Sequence, residues 1–335
     1  VEVKASDLHF EPQRKRLRIR FRIDGDLQEV ASMPMALIQP VVSRVKVLAS
    51  LKLDETRIPQ DGRFRTIVNE KEIDFRVATF PTPNGEKVVL RVLDSSIGLL
   101  GLEKLGLQGH NLKVVEKGLE RPYGMILLTG PTGSGKTTTL YSMMQRLNTE
   151  KVNVVSLEDP VEYFMEGVNQ SQVKPEIGYT FASGLRQILR QDPNIVMVGE
   201  IRDSETAGLA VNAALTGHLV LSTLHTNNAL GVIPRLIDLG APAFLLSSAL
   251  DLMIAQRLVG RLCPDCKKEA KAPSEAEKII SDALKTLPDD TKKDVSKFSP
   301  PYTIYRPEPK EGCETCKGKG IAGRVALYEV LIMTR

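Results

Sequence analysis

The segment from Tyr123 to Leu140 constrains this chain more than any other stretch. Residues 125–128 have the character of a buried strand, and Gly130 to Thr137 fits the pattern G-x-x-x-x-G-K-S/T. Between a strand and a helix, such a loop lets consecutive backbone N–H groups surround an anion at the positive end of the helix. The segment therefore predicts a phosphate-binding loop that holds a nucleoside triphosphate.

Within this loop, Lys136 and Thr137 carry the chemistry. We expect the ammonium group of Lys136 to reach the β- and γ-phosphates and the hydroxyl of Thr137 to bind Mg²⁺. A glycine-rich turn that matches the pattern by chance is the alternative, but the flanking strand and helix argue against it. The predicted nucleotide contacts are Gly130, Pro131, Thr132, Gly133, Ser134, Gly135, Lys136, Thr137 and Thr138.

Composition limits the other roles of the chain. Its 335 residues, 42% of them hydrophobic, suffice for about two or three domains. Trp is absent, aromatic residues make up 5%, and the net charge is only +4, so we expect no direct nucleic-acid binding. No apolar run is long enough to span a bilayer and no signal peptide is visible, which predicts a cytoplasmic protein. Because the chain opens without Met, we expect that a natural N-terminal region is missing.

Residues 1–94 have the pattern of a small α+β domain. An Asp24-Gly25 hairpin turn separates two of its strands, and in a later strand Ile73, Phe75 and Val77 point one way while Asp74 and Arg76 point the other. The predicted elements are strands at 16–21 and 27–30, a helix at 36–51 and three strands within 62–93. We predict a hinge at 95–101 after this domain.

From residue 102 to 335 the pattern changes to strands that alternate with helices. This alternation predicts a mostly parallel sheet covered by helices, with ligands at the carboxyl ends of the strands. The predicted strands are 125–129, 152–157, 195–198 and 219–223, and the helices include 180–191 and 204–215.

Two acidic side chains follow strands of this sheet. Glu200 comes after the apolar run 195–198 and an additional glycine, so we expect it to hold the metal directly or through water. Glu158 is the first of three carboxylates beside Pro160, and we expect it to orient and deprotonate the attacking water. A solvated acidic loop is the alternative for the second segment.

Basic residues and histidines lie near the same strand ends. Arg186 and Arg190 share one face of the predicted helix 180–191, where a salt bridge is as good an interpretation as a nucleotide contact. His218 and His225 flank the strand 219–223, and a core histidine bonded to backbone is the usual alternative. His225 follows the carboxyl end of that strand, so we expect it to sense the γ-phosphate.

Four cysteines form two C-x-x-C pairs, Cys263 with Cys266 and Cys313 with Cys316. In a reducing compartment this spacing indicates a closed, structural zinc site, with a redox pair or free thiols as the alternatives. The predicted zinc subdomain spans 261–323. Its segment 267–309 is charged and proline-bearing, and we expect a surface insertion with only a short helix at 276–284.

Together these residues resemble the secretion ATPases of the type II secretion and type IV pilus extension branch (GspE/PilB-like). The resemblance covers nearly the whole chain. The motifs that carry it are Ala5 to Pro12, Arg22 to Gly25, the phosphate-binding loop, Glu158 to Glu162, Leu189 to Pro193, Gly199 to Asp203, Thr216 to His225 and the four cysteines. Two features depart from the family pattern: Asn194 stands where relatives often have Asp, and the segment between the cysteine pairs is long.

The resemblance implies an α/β fold in which a PAS-like domain precedes a RecA-like P-loop ATPase domain. It implies a bacterial homo-hexamer that uses ATP, Mg²⁺ and structural Zn²⁺ at the cytoplasmic face of the inner membrane, where it acts on a platform protein. Arg76 and Arg91 match the arginines that the N-terminal domain contributes to the nucleotide site, with Arg63 as a third candidate. The arginines that match family positions near the nucleotide or at interfaces are Arg186, Arg190, Arg202 and Arg235.

Two other functions fit parts of the pattern. A pilus retraction or DNA-transfer ATPase would share the nucleotide site, but retraction enzymes generally lack the four cysteines and few aromatic residues are present to grip DNA. A scaffold that binds nucleotide without hydrolysing it is the second alternative. The complete set of acidic and basic candidates favours an enzyme.

Overall fold

A computed structural model describes residues 5–23, 26–69, 71–93, 100–287 and 298–334, with only the backbone at 71 and 72. The chain divides into two compact units. The first comprises Val1–Leu99 and Glu162–Phe164, and the second comprises Leu100–Val161 and Met165–Arg335. The predicted Asp24-Gly25 turn, the domain end at 94 and most of the hinge 95–101 lie outside the described residues.

The first unit is a six-stranded antiparallel sheet with the strand order β3-β2-β1-β6-β5-β4. The strands predicted at 16–21, 27–30 and 62–93 and the helix predicted at 36–51 are confirmed with shifted ends, whereas β1 was not predicted. The PAS-like assignment stays a prediction. The elements are β1 Asp7–Pro12, β2 Arg16–Ile23, β3 Asp26–Pro34, α1 Ile38–Leu48, β4 Gln60–Val68, β5 Lys71–Thr82 and β6 Gly85–Leu93.

Alternation along these strands gives the sheet one apolar face and one charged face. On the apolar side, Leu17, Ile73 and Val77 are buried together with Val42 of α1. Each such side chain contributes about 1.5–3 kcal/mol when it leaves water. Ile73 and Val77 therefore face the core, and the predicted opposite orientation of Arg76 is confirmed by its partial exposure.

On the charged face, Glu11 of β1 accepts hydrogen bonds from Arg18 and Arg20 of β2 and forms an ion pair with Lys87 of β6. Burial alone would raise the pKa of the Glu11 carboxyl, but the bonds from Arg20, Lys87 and Arg18 outweigh it and lower this pKa to about 2. The carboxylate thus stays charged in neutral solution and joins three neighbouring strands.

The second unit is built on a seven-stranded sheet with the order β15-β12-β7-β11-β10-β8-β9. All neighbouring pairs are parallel except β12 with β15, which confirms the prediction of a mostly parallel sheet. The elements are α2 Gly109–Leu119, β7 Gly124–Thr129, α3 Lys136–Leu147, β8 Val154–Glu158, β9 Val168–Gln172, α4 Phe181–Ile188, β10 Ile195–Val198, α5 Ser204–Leu215, β11 Leu219–Leu224, α6 Val232–Asp238, α7 Ala243–Ala249, β12 Leu250–Leu262, β13 Lys267–Lys271, α8 Ser274–Thr286, β14 Thr303–Pro307 and β15 Ile321–Ile332.

The helix predicted at 180–191 is shorter than expected. It begins after Thr180, whose side chain caps it together with Ser183, and it ends at Ile188. Arg190 therefore lies in the turn after the helix, where its backbone N–H donates to Gln187 at 3.1 Å, and its shared face with Arg186 stays a prediction. A helix cannot continue through residues 192 and 193, since Asp192 has a φ of 49° and proline disfavours helical geometry in the residue before it.

The segment between the cysteine pairs has more structure than predicted. The short helix expected at 276–284 is part of the longer α8. The strand before this helix in the chain, β13, pairs antiparallel with the strand after it, β14. The strands escaped prediction because their residues are mostly charged or exposed and show no apolar alternation. In the described part of the chain, no helix is both long enough and apolar enough to cross a membrane.

Candidate functional site

The phosphate-binding loop connects β7, which is buried along its whole length, to the N-terminus of α3. Glycine is required at both ends of the loop. Gly130 has a φ of 139°, and an added Cβ there would lie 2.4 Å from the carbonyl oxygen of Gln256. Gly135 has a φ of 87° and caps α3. The backbone thus presents a helix N-terminus next to exposed loop residues, which is the geometry that anions favour.

Two side chains of the loop fit a phosphate. Lys136 is only 9% exposed, and its Nζ donates to the carbonyl oxygens of Gly130 and Pro131 at 2.8 and 3.1 Å. Burial lowers the pKa of Lys136, and the nearby Glu200 opposes this shift. Within the described chain, the buried hydroxyl Ser134 Oγ has no hydrogen-bond partner. A buried polar atom without a partner needs a ligand or water, and a phosphate oxygen would supply one.

Glu200 lies at the centre of the charged groups beside the loop. Its carboxylate forms an ion pair with Arg202 at 2.5 Å and lies 3.4 Å from Nε2 of His225. It also interacts with the ammonium group of Lys136, which brings three predicted site residues together. Thr137 and the Glu200 carboxylate could hold a divalent cation, because hydroxyl and carboxylate oxygens are the ligands that Mg²⁺ prefers.

Glu158 is the last residue of β8 and is 2% exposed. It accepts hydrogen bonds from Ser156 at 2.5 Å, from Gln170 at 3.1 Å, and from the hydroxyl of Tyr141, which lies on α3. The adjacent strand end approaches it closely, since a Cβ added to Gly199 would lie 3.5 Å from the Cα of Glu158. The predicted base is therefore tied to the helix that follows the phosphate-binding loop.

Hydroxyl side chains that the sequence analysis missed join these strand ends. Ser222 and Thr223 of β11 donate to the carbonyl oxygens of Val198 and Gly199 at 2.6 and 2.8 Å. The hydroxyl of Thr129 accepts from the backbone N–H of Thr226 at 2.7 Å. These bonds fix the segments that carry Glu200 and His225 relative to β7. The only sequence signal was their place at the end of an apolar strand.

The predicted arginines of the first unit form a row across three strands. In the antiparallel register Arg76 lies directly opposite Arg63 on one side and Arg91 on the other. Asp7 lies opposite Arg91 and bonds its Nε at 2.9 Å. Burial opposes ionisation of Asp7, but the bonds from Arg91 and Ser6 outweigh it and lower the pKa of Asp7. Like charges directly opposite each other in a sheet are destabilising, and in this row Asp7 offsets the charge of Arg91.

The other basic candidates have different environments. Arg186 forms an ion pair with Glu205, which favours the salt-bridge interpretation. Arg235 is exposed on α6. His218 lies at the amino end of β11, where its Nδ1 is 3.1 Å from the carbonyl oxygen of Ala213. His218 is thus a backbone-bonded histidine, and His225 is the one at the carboxyl end.

The four cysteines converge on one point. Their sulfur atoms lie within 4.8 Å of one another, with 3.9 Å between Cys263 and Cys313 and 3.6 Å between Cys266 and Cys316. Zn–S bonds of about 2.3 Å in a tetrahedron place sulfur atoms about 3.8 Å apart, so the four thiols fit zinc. The backbone N–H of Gly320 points at the sulfur of Cys316 at 3.3 Å, which favours a thiolate there.

Comparison with known proteins identifies a family. The family model described as "Type II/IV secretion system protein" matches residues 1–335. The chain belongs to this family. It is 48% identical over 329 residues to the type II secretion system ATPase E of Vibrio cholerae, covering 98% of this chain and 62% of that protein. It is 49% identical over 332 residues to the type IV pilus assembly ATPase PilB of Myxococcus xanthus, covering 99% of this chain and 56% of that protein. The chain thus spans about three fifths of the length of these relatives.

Solved structures of related proteins have the same fold. The pilus retraction motor PilT, solved with ADP, superposes with a TM-score of 0.64 at 30% identity, over 88% of this chain and 90% of that one. The ATPase DotB of Legionella pneumophila gives a TM-score of 0.61 at 22% identity, over 88% of this chain and 84% of that one. This secretion-family chain therefore has an α/β fold with mixed sheets, similar to the folds of PilT and DotB.

Proposed function

We propose that this secretion-family chain is the Mg²⁺-dependent ATPase of a type II secretion or type IV pilus assembly machine. The observation that carries the proposal is the meeting of Lys136, Glu200 and His225 beside a phosphate-binding loop at the carboxyl ends of parallel strands. Ligands of open α/β sheets bind at such ends. The named relatives, a secretion ATPase and a pilus assembly ATPase, support the same activity.

Each residue has a distinct part in the proposed reaction. Lys136 exchanges its bonds to loop carbonyls for the β- and γ-phosphates of ATP. Thr137 and Glu200 would hold Mg²⁺, which when bound would neutralise charge on the phosphates. Glu158 accepts the proton of the attacking water, and the hydrogen bond from Tyr141 keeps its carboxylate oriented. His225, paired with Glu200, senses whether the γ-phosphate is present.

The row of arginines on the first unit is the basis for the proposed coupling of hydrolysis to domain motion. Arg63, Arg76 and Arg91 lie side by side on the first unit, and the positive charge that Asp7 does not offset favours an anion such as the transferred phosphoryl group. We propose a ring of six chains in which these arginines complete the nucleotide site, so that hydrolysis moves a PAS-like domain against a RecA-like domain. Such motion would drive an inner-membrane platform protein from the cytoplasmic face and extrude pilin or pseudopilin subunits.

Mixed rings test this arrangement. Arg76→Ala and Lys136→Ala chains are each expected to be inactive, yet an equal mixture should regain about a quarter of the wild-type rate per chain, because random neighbours in a symmetric ring restore that share of sites. Phosphate release is measured after dissociation and reassembly of the mixture. A mixture of Lys136→Ala with Glu158→Gln is the control and should stay inactive. If the first mixture is no more active than its parents, Arg76 does not act across subunits.

A retraction motor is the second candidate, and the likeness to PilT favours it. The identity to PilT is 30%, however, against 48 and 49% to the secretion ATPase and PilB. The four converging cysteines also fit the assembly branch better than the retraction branch. We therefore propose assembly as the direction of the motor.

A further inference from the structure

A two-stranded ladder joins the cysteine cluster to the nucleotide site. Strand β12 ends at Leu262, directly before Cys263, and β15 begins at Ile321, shortly after Cys316. The two strands pair antiparallel from Leu262 opposite Ile321 to Leu252 opposite Ile332. The backbone N–H of Cys263 extends this pairing by donating to Gly320 at 3.0 Å. On its other side β12 is the parallel neighbour of β7, the strand before the phosphate-binding loop.

Gln256 of β12 packs directly against the phosphate-binding loop. It is 2% exposed, and its carbonyl oxygen closes the space beside Gly130 at the start of the loop. Its Nε2 lies 2.9 Å from where a Cβ would stand on Gly135, at the end of the loop. Its Oε1 accepts a hydrogen bond of 2.9 Å from Thr139 in the first turn of α3. The backbone carbonyl of Gln256 thus lies against the start of the loop, and its side chain lies against the end of the loop and the first turn of α3.

Tyr328 of β15 completes this contact. It lies directly opposite Gln256, and its hydroxyl is 3.1 Å from the hydroxyl of Thr139. Burial raises the pKa of Tyr328, and the bond to Thr139 only partly offsets this, so the phenol stays protonated. Both strands of the ladder thus hold the same helix residue.

The opposite face of the ladder contacts the chain segment that follows His225. Glu329 of β15 accepts a bond of 3.0 Å from the backbone N–H of Ala229, and Arg257 of β12 donates to the carbonyl oxygen of Asn227 at 3.2 Å. These residues follow His225 in the chain. The ladder therefore contacts the phosphate-binding loop on one face and the segment after His225 on the other.

We propose that metal in the four-cysteine cluster strengthens nucleotide binding through this ladder, with Gln256 and Tyr328 as the positioning residues at its nucleotide end. A metal that holds all four thiols joins the end of β12 to the start of β15. Without this link the ends of β12 and β15 separate locally from each other. This local separation extends to Gln256, which lies six residues and roughly 20 Å from Leu262 along β12. The inference rests on the proposed nucleotide site.

The experiment measures the dissociation constant of a fluorescent ADP analogue with zinc-loaded and metal-free chain. At coupled sites, one ligand commonly changes the affinity for the other by about 5- to 150-fold. We therefore expect zinc to lower the dissociation constant of the analogue by about fivefold or more. Tyr328→Phe removes only the hydroxyl and should reduce this factor to less than about twofold while zinc still binds at the wild-type stoichiometry. Tyr305→Phe, on the exposed β14 ladder, is the matched control and should keep the wild-type factor.

Reciprocity gives a second measurement on the loaded protein, which serves if chelation unfolds the chain. The zinc affinity, measured by competition with a chelator, should rise in the presence of ADP by the same factor by which zinc tightens ADP. Equal affinities with and without the other ligand, or full coupling in Tyr328→Phe, would overturn the inference. If no form of the chain binds the analogue, the proposed nucleotide site itself is wrong.

Discussion

Replacing Lys136 with alanine is expected to lower ATP hydrolysis by about 10²–10³-fold, because a positive group aimed at the charge that develops on the phosphates is lost. The position of Lys136 in the structure supports this expectation. Lys136 is buried at the first position of α3, and the charge of Glu200 acts on it. Phosphate release under saturating ATP and Mg²⁺ measures the effect.

The matched control is Lys113→Ala, which removes an exposed lysine from α2. It should keep the wild-type rate, and thermal unfolding of both variants shows whether each is folded. A wild-type rate in folded Lys136→Ala would contradict the assignment of the phosphate-binding loop as the reaction site.

Replacing Glu158 with glutamine separates hydrolysis from binding. Loss of a general base costs about 10²–10⁴-fold in rate. Nucleotide affinity should change by less than about threefold, since glutamine keeps the shape of the side chain and the hydroxyls of Tyr141 and Ser156 can reorient to suit it. A stopped assay for phosphate release and a binding titration with the ADP analogue give the two quantities.

Glu150→Gln, an exposed site after α3, is the control for this substitution and should behave as the wild type. If Glu158→Gln loses nucleotide binding together with its activity, then Glu158 supports the fold through its bonds to α3 and β9 rather than acting on water.

The parallel sheet and the phosphate-binding loop could be predicted because both depend on local patterns. The four apolar residues 125–128 lie in the buried β7, and Gly130 meets the backbone of Gln256, which leaves no room for a Cβ. The alternation in β5 likewise predicted the direction of Arg76. Its alignment with Arg63 and Arg91 depends on strand register, which only the folded sheet shows.

The partners of the site residues could not be predicted, since they come from distant parts of the chain. Tyr141 and Glu158 are 17 residues apart, and Thr139 and Gln256 are 117 apart. Nothing in the sequence near Gln256 or Tyr328 marks them as contacts of the loop, because the strands β12 and β15 were not recognised. The end of α4 was misplaced for a related reason: the left-handed Asp192 is a single-residue feature within a helical pattern.

Steady-state phosphate release by the wild-type chain tests the central claim most directly. With ATP and Mg²⁺ we expect a rate of phosphate release per chain that rises with protein concentration, because rings form. This rate should fall to zero when Mg²⁺ is chelated. Binding of ATP without any phosphate release, at concentrations where the chain is assembled, would contradict an ATPase and would instead indicate a nucleotide-binding scaffold.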